Sequence, residues 1–325
     1  MGLSGIISKI AAREEIIANP PVLIDIGASE KLNPMWKPIA GISICIAFDA
    51  DTRDFEYIES NKFGFKKQYV FNRIVVASSD KPKQTFYLTN DPYCSSLLPP
   101  DTESMKEFHF SDKFAIKQKI ELEVIELKNV LGQLGINRVD WFKTDTQGTD
   151  LRLYKSLGEP LQDKVLALEF EPGFMDAYIG EDKILDVLNY MDKKPFILVD
   201  FLTKGALRMP KAAFDHTFSS NFGKRFADRV YKKAPGWAEI TYLNKLENSD
   251  FTTREYILAW VFATVQGHHD LAFVYADKGS KKFNDPLFNE LNRFSQKKLK
   301  KNLYSFDSWF RLADLLIRKH ILKTA

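Results

Sequence analysis

Acidic side chains close one apolar run after another in this chain. Asp25 follows Val22-Leu23-Ile24 and leads into Ile26-Gly27-Ala28, Asp49 follows Ser43 to Phe48, and Asp145 follows Val139 to Thr144. Glu169 and Glu171 alternate at the end of Lys164 to Phe170. A carboxylate at the mouth of a strand can accept hydrogen bonds from hydroxyls, hold an amine or take a proton from a reacting group. A glycine beside it lets a ligand approach the backbone. Gly27 and Asp49 stand roughly 20 residues apart, the spacing of glycine turn and ribose-binding acid in nucleotide-binding sheets. Two neighbouring parallel strands would present Asp25, Gly27 and Ala28 from one and Asp49 from the other at one edge.

The glycine pattern limits which nucleoside suits that edge. Ser29 replaces the second glycine of a Gly-x-Gly-x-x-Gly turn and none follows through Asn33, so a pyrophosphate clamp is poorly supported. S-adenosylmethionine fits better, with an amino-acid head, a sulfonium and a ribose whose hydroxyls want a carboxylate. Asp49 is the expected ribose ligand, while Asp51 serves equally as a ribose contact or as a helix cap. Ser78, just past the third apolar run, is a further expected cofactor contact.

Other residues complete the candidate set. Asp145 is read as a general base or orienting acceptor, or as a cap or holder of the cofactor's amino group. Lys143 alternates with it and is either a catalytic neighbour or its ion-pair partner. Gln147 and Gly148 shape the turn that follows, and Gln147, Glu169 and Glu171 are expected to meet the substrate. The glutamates suit sugar hydroxyls or, more weakly, oxygen ligation of a divalent ion; no metal is expected. Ser96, with Ser95, lies in the proline-bounded loop Asn90 to Pro100 and is expected to contact substrate. Neither serine has the Gly-x-Ser-x-Gly setting of a hydrolase nucleophile, and the five histidines show no ligand spacing.

Several of these segments together resemble the FkbM-type S-adenosylmethionine-dependent methyltransferases. The likeness is carried by Ile24-Asp25-Ile26-Gly27-Ala28, by Phe48-Asp49-Ala50-Asp51 and most clearly by Lys143-Thr144-Asp145-Thr146-Gln147-Gly148-Thr149-Asp150. It covers roughly residues 20–243. Departures are Ser29-Glu30 where the family has Asn and soon another glycine, Asp49 for Glu, and Gln147 for Glu. The resemblance implies a Rossmann-like class I methyltransferase fold, S-adenosylmethionine as cofactor and O-methylation of a hydroxyl on a saccharide, glycoconjugate or other small metabolite. Two competing readings are a non-catalytic binding module with a cofactor site decayed at Ser29-Glu30, and a nucleotide-dependent sugar-modifying oxidoreductase.

The elements that must position these residues alternate as strand and helix. Runs at Ser43 to Asp49, Gln68 to Ala77, Gln84 to Leu88, Ile120 to Leu127, Val139 to Thr144, Lys164 to Phe170 and Phe196 to Val199 read as strands, with Trp237 to Leu243 as a last edge strand. Helical runs at Asp150 to Leu157 and Asp182 to Met191 make a doubly wound, mostly parallel α/β sheet the natural architecture. The division expected is an N-terminal helix over 1–19 packed on the core, an α/β domain over 20–248 and a helical subdomain over 249–325. With 46 basic and 43 acidic residues the net charge is only +3, so no global field recruits nucleic acid or an anionic membrane. The run Lys297-Lys298-Leu299-Lys300-Lys301 offers either a peripheral contact to an acidic or membrane surface or a solvated helix face. Two cysteines, no leader pattern and no apolar run of membrane-spanning length point to a cytoplasmic protein.

Overall fold

The computed structural model describes residues 2–27, 33–50, 63–304, 309–310, 312–314 and 316. The chain divides into two compact units, residues 14–248 and residues 1–13 with 249–325. In chain order the strands of the larger unit are β1 (Val22–Ile26), β2 (Ile44–Phe48), β3 (Lys67–Phe71), β4 (Ile74–Val76), β5 (Lys83–Thr89), β6 (Ile116–Glu126), β7 (Trp141–Thr144), β8 (Ala167–Phe170), β9 (Phe196–Ala206) and β10 (Ala234–Asn244). Seven of them form a sheet of order β3-β2-β1-β7-β8-β10-β9, and β4-β6-β5 form a small second sheet.

The large sheet is mostly parallel; β10 alone runs against both its neighbours. Strand order reverses between β1 and β7, with β2 and β3 laid to one side and β8 to the other. In open α/β sheets a ligand crevice forms outside the carboxyl ends of the strands at such a reversal. This Rossmann-like arrangement agrees with the α/β expectation, but two strands depart from it. Trp237 to Leu243 lies inside β10, between β8 and β9, so the edge strand is β9. Its alternation comes from one covered face, with Ala238, Ile240 and Tyr242 buried and Glu239 exposed. The run from Gln68 to Ala77 breaks at Asn72-Arg73 into β3 and β4, which belong to different sheets.

Strand alternation sorts the side chains. Val22, Ile24, Ile26, Phe142, Leu168 and Phe170 face one core, shared with Val130, Leu131, Leu153 and Tyr154 from the helices Leu127–Gln133 and Asp150–Ser156. The opposite parity, Leu23, Asp25, Trp141, Lys143 and Glu169, occupies the other face. Trp36, from the turn-rich segment Pro34–Ile42, packs edge-on against Trp141 at 5.9 Å. Cys45 is buried, Cys94 is half-buried, and both are free thiols.

The second unit joins the helix Leu3–Ala11 to the helices Thr253–Val265, His269–Phe283 and Pro286–Leu303. Its first helix, expected on the sheet, is tied within this unit by Lys9 to Glu290 at 2.7 Å and by Arg13 to Asp285 at 2.6 Å. Thr253–Val265 is buried along nearly its whole length, and the Trp260 indole donates to Ser295 Oγ at 2.9 Å. Among the described residues no helix is long and apolar enough to cross a membrane.

Candidate functional site

The ends of β1, β2 and β7 stay laced together beyond their last paired residues. Gly27 N donates to the Phe48 carbonyl at 2.9 Å, Asp145 N to the Ile26 carbonyl at 2.8 Å, and Asp49 N to the Phe71 carbonyl at 3.2 Å. Gly27 has φ +83°, and a Cβ there would lie 1.9 Å from the Asp145 carbonyl oxygen. The crossing therefore admits only glycine. Ala28, Ser29, Glu30 and Asp51 lie outside the described residues, as do residues 54–61, which read as a short helix in the sequence.

Gly27, Asp49, Val75, Phe86, Asp145 and Gln147 are among the walls of a cleft of about 90 Å³ at this reversal point. Asp49 is only 6% exposed. The donor set suits a nucleoside: a bare backbone turn, a carboxylate at the adjacent strand end for ribose hydroxyls, and apolar surface from Val75 and Phe86 for a base. The enclosed space is smaller than an adenosine and is open to solvent on one side.

A second and larger space of about 450 Å³ opens on the other flank of Asp145, where Gln147 and Glu171 meet aromatic Phe110, Phe114, Tyr178 and Trp237. Polar groups punctuate this chamber. Lys113 pairs with Asp91 at 2.8 Å and Lys233 with Asp228 at 2.7 Å, while His109 Nε2 lies 3.6 Å from the same Asp228 oxygen. The Tyr178 hydroxyl sits 2.9 Å from the Cys94 carbonyl and 3.1 Å from Gln147 Oε1.

The turn after β7 fixes Asp145 between the two spaces. Gln147 at φ +57° and Gly148 at φ +113° reverse the chain. Gln147 Nε2 donates to Asp145 Oδ1 at 2.6 Å, and Ser96 Oγ donates to the Gln147 carbonyl at 2.8 Å. Asp150 anchors the turn, its Oδ1 accepting from Thr146 N and Oγ1 and its Oδ2 from Glu171 N at 2.9 Å. Asp145 and Glu171 also share a side-chain hydrogen bond. Burial raises both carboxyls above the usual range, and the Asp145 charge raises Glu171 further, so the pair titrates as a unit.

Behind this pair runs a row of charge set by register. Asp25, Lys143 and Glu169 are direct cross-strand neighbours on β1, β7 and β8. Lys143 Nζ lies 2.6 Å from the fully buried Asp25 Oδ1. Burial disfavours the Lys143 charge, but Asp25, Asp145 and Glu169 together outweigh it and hold the ammonium above its ordinary pKa. Glu169 accepts from Trp141 Nε1 at 2.6 Å and Asn33 Nδ2 at 2.8 Å, and burial pushes its carboxyl up to about 7. Lys143 and Glu169 line neither the cleft nor the chamber but a third groove of about 530 Å³, which they share with Asp145, Glu171, Asp200 and Glu239.

The structure thus gathers Gly27, Asp49, Asp145, Gln147 and Glu171, and leaves other expected site residues aside. Lys143 pairs with Asp25 rather than with Asp145 and faces neither the cleft nor the chamber. Asp25 is sealed beneath the turn. Ser78 is exposed on a shallow depression with Gln84, Thr85 and Glu121, because the break at Asn72-Arg73 leads the chain away into the second sheet. Ser96 is fully buried as the brace of the Gln147 turn; its neighbour Ser95 reaches the cleft. His109, Lys113, Tyr178, Asp228 and Lys233 line the chamber but come from distant segments with no local pattern to mark them. No cluster of His, Cys, Asp and Glu suited to a metal ion occurs among the described residues. Compared with known proteins, the chain matches no family model, no curated protein and no solved structure.

Proposed function

We propose that the protein moves a methyl group from S-adenosylmethionine to a hydroxyl of a saccharide, glycoconjugate or other small metabolite. One observation carries the reading: a single carboxylate, Asp145, borders both the cleft with Gly27 and Asp49 and the aromatic chamber. The class I methyltransferase fold implied by the resemblance is compatible with the mostly parallel sheet and its reversal between β1 and β7. S-adenosylmethionine supplies an electrophilic methyl carbon on a sulfonium when bound.

The protein's own residues perform the remaining tasks. Gly27 gives the backbone clearance, and Asp49 receives the ribose hydroxyls. Aromatic rings of the chamber take the acceptor's apolar faces, and its charged rim takes hydroxyls. Asp145 accepts the proton that the acceptor oxygen loses as its bond to carbon forms, so alignment and proton removal converge on one group. Gln147 orients that carboxylate, and in this reading Glu171 keeps the pair's proton, which leaves the negative charge on Asp145. Lys143 is a positioning residue that neutralises Asp25 and offsets the surrounding acids.

Calorimetric titration with S-adenosylmethionine, S-adenosylhomocysteine and NAD tests the reading. Saturable binding of the first two, absence of NAD binding and loss of both signals in Asp49→Ala are expected. Binding of NAD alone, or of none of the three, would overturn it.

A further inference from the structure

The helix Asn221–Val230 turns its most apolar side to solvent. Phe222 is 78% exposed and Phe226 56% exposed, and their rings stack at 6.1 Å; Val230, one turn on, and Tyr231 are exposed as well. Positions 222, 226 and 230 form one stripe on a helix of 3.6 residues per turn. The opposite side is the anchored one: Ala227 is buried, Lys224 pairs with Asp215, and Asp228 pairs with Lys233 and borders the chamber. The exposed phenylalanines are therefore not a core face turned the wrong way.

Charge flanks the stripe. Arg225 and Arg229 are exposed beside it, and Lys232 is exposed just beyond the helix end. The segment 221–233 carries six charged residues, of which only Asp228 is acidic. A convex, one-helix-wide row of aromatic rings edged by guanidinium groups matches a helix lying in a membrane interface. In that setting rings enter the boundary between headgroups and chains while cations meet anionic headgroups. A second copy of the chain would repel this face by its like charge, and a polar protein partner gives no use to the projecting rings.

We propose that helix Asn221–Val230 seats the protein on an anionic lipid surface through Phe222, Phe226 and Val230, with Arg225, Arg229 and Lys232 on the headgroups. The inference rests on the outer face of the helix and stands apart from the methyl-transfer reading.

Co-sedimentation of the full chain with vesicles tests it, comparing phosphatidylcholine alone with phosphatidylcholine mixed with phosphatidylglycerol. The wild type is expected to bind the mixed vesicles, to ignore the neutral ones and to be released by salt. The double change Phe222→Ser, Phe226→Ser and the double change Arg225→Glu, Arg229→Glu should each weaken binding by roughly tenfold or more. Lys297→Glu with Lys300→Glu, on the last helix, should leave it unchanged. All these positions are exposed, and an unaltered melting temperature confirms the fold; should the serine variant melt early, the charge reversal carries the test. No binding to mixed vesicles at low salt would overturn the proposal. So would undiminished binding by either helix variant, or a dimer in solution that the serine variant dissociates.

Discussion

At the scale of single residues the account turns on which carboxyl carries the proton. Asp145 and Glu171 are buried side by side, and both stand above the ordinary carboxylate range, Glu171 the higher. Proton removal needs Asp145 ionised, so turnover should rise with pH through the raised Asp145 value. Glu171→Gln keeps a neutral donor to Asp145 and should leave that rise in place. Glu171→Leu removes the donor; a hydrogen bond to a charged group is worth about 1.5–3 kcal/mol, so the rise should move up by ~1–2 pH units. A pH profile of turnover for the two variants checks this, and equal profiles would remove Glu171 from the proton account. Asp145→Asn should lower kcat by about 10²–10⁴-fold, the usual range for a general base, while S-adenosylhomocysteine affinity stays within a few-fold. Part of this was legible in sequence because buried parallel strands read as apolar runs, and Asp49, Asp145 and Glu171 interrupt them at their ends. The roles of Lys143 and Ser96 were not, since the same residue types serve a rim or a brace depending on cross-strand register and burial. Only the pairing of Asp25 with Lys143 and of Ser96 with the Gln147 carbonyl decides between those uses.

At the scale of elements the crossing of β1 and β7 is the tightest constraint. Gly27→Ala would place a methyl group against the Asp145 carbonyl and force a side chain into a left-handed conformation. Left-handed strain alone costs about 1–3 kcal/mol, and the clash adds to it. Chemical denaturation should show at least that loss of stability, together with loss of S-adenosylhomocysteine binding; a variant as stable as wild type would contradict the described turn. The glycine was readable from its place after Asp25, whereas its reason, the approach of Asp145 from a strand more than a hundred residues later, was not. The order of the last two strands escaped sequence reasoning for a related cause. The run Phe196 to Val199 looks buried but begins the exposed edge strand β9, and the alternating run in β10 looks like an edge but is inserted between two strands. Alternation reports how many faces are covered, not where a strand lies in the order. The displacement of Ser78 has the same origin, because nothing in Asn72-Arg73 announces a change of sheet.

At the scale of the whole molecule the chain ends belong to one unit. Helix Leu3–Ala11, with Ile6, Ile7 and Ile10 buried, joins the helices Thr253–Val265, His269–Phe283 and Pro286–Leu303. Removing residues 2–12 should therefore strip hydrogen-exchange protection from Thr253–Leu303 while the strands of the large sheet keep theirs. Uniform loss across both units would contradict that division. The helical texture of the tail was plain from its periodicity. Its partnership with the first helix was invisible, because a short amphipathic helix carries no address for the face it covers. The balance of charge was equally uninformative, since a net charge of +3 conceals both the buried mixed-charge row behind the site and the basic edge of helix Asn221–Val230.

A crystal grown with saturating S-adenosylhomocysteine and diffracting well enough to place the ligand tests the central claim most directly. The account predicts the ribose on the Asp49 carboxylate, the turn at Gly27 beneath the ligand, and the sulfur directed past Asp145 into the aromatic chamber. A ligand bound elsewhere, or one whose sulfur faces away from Asp145, would contradict it.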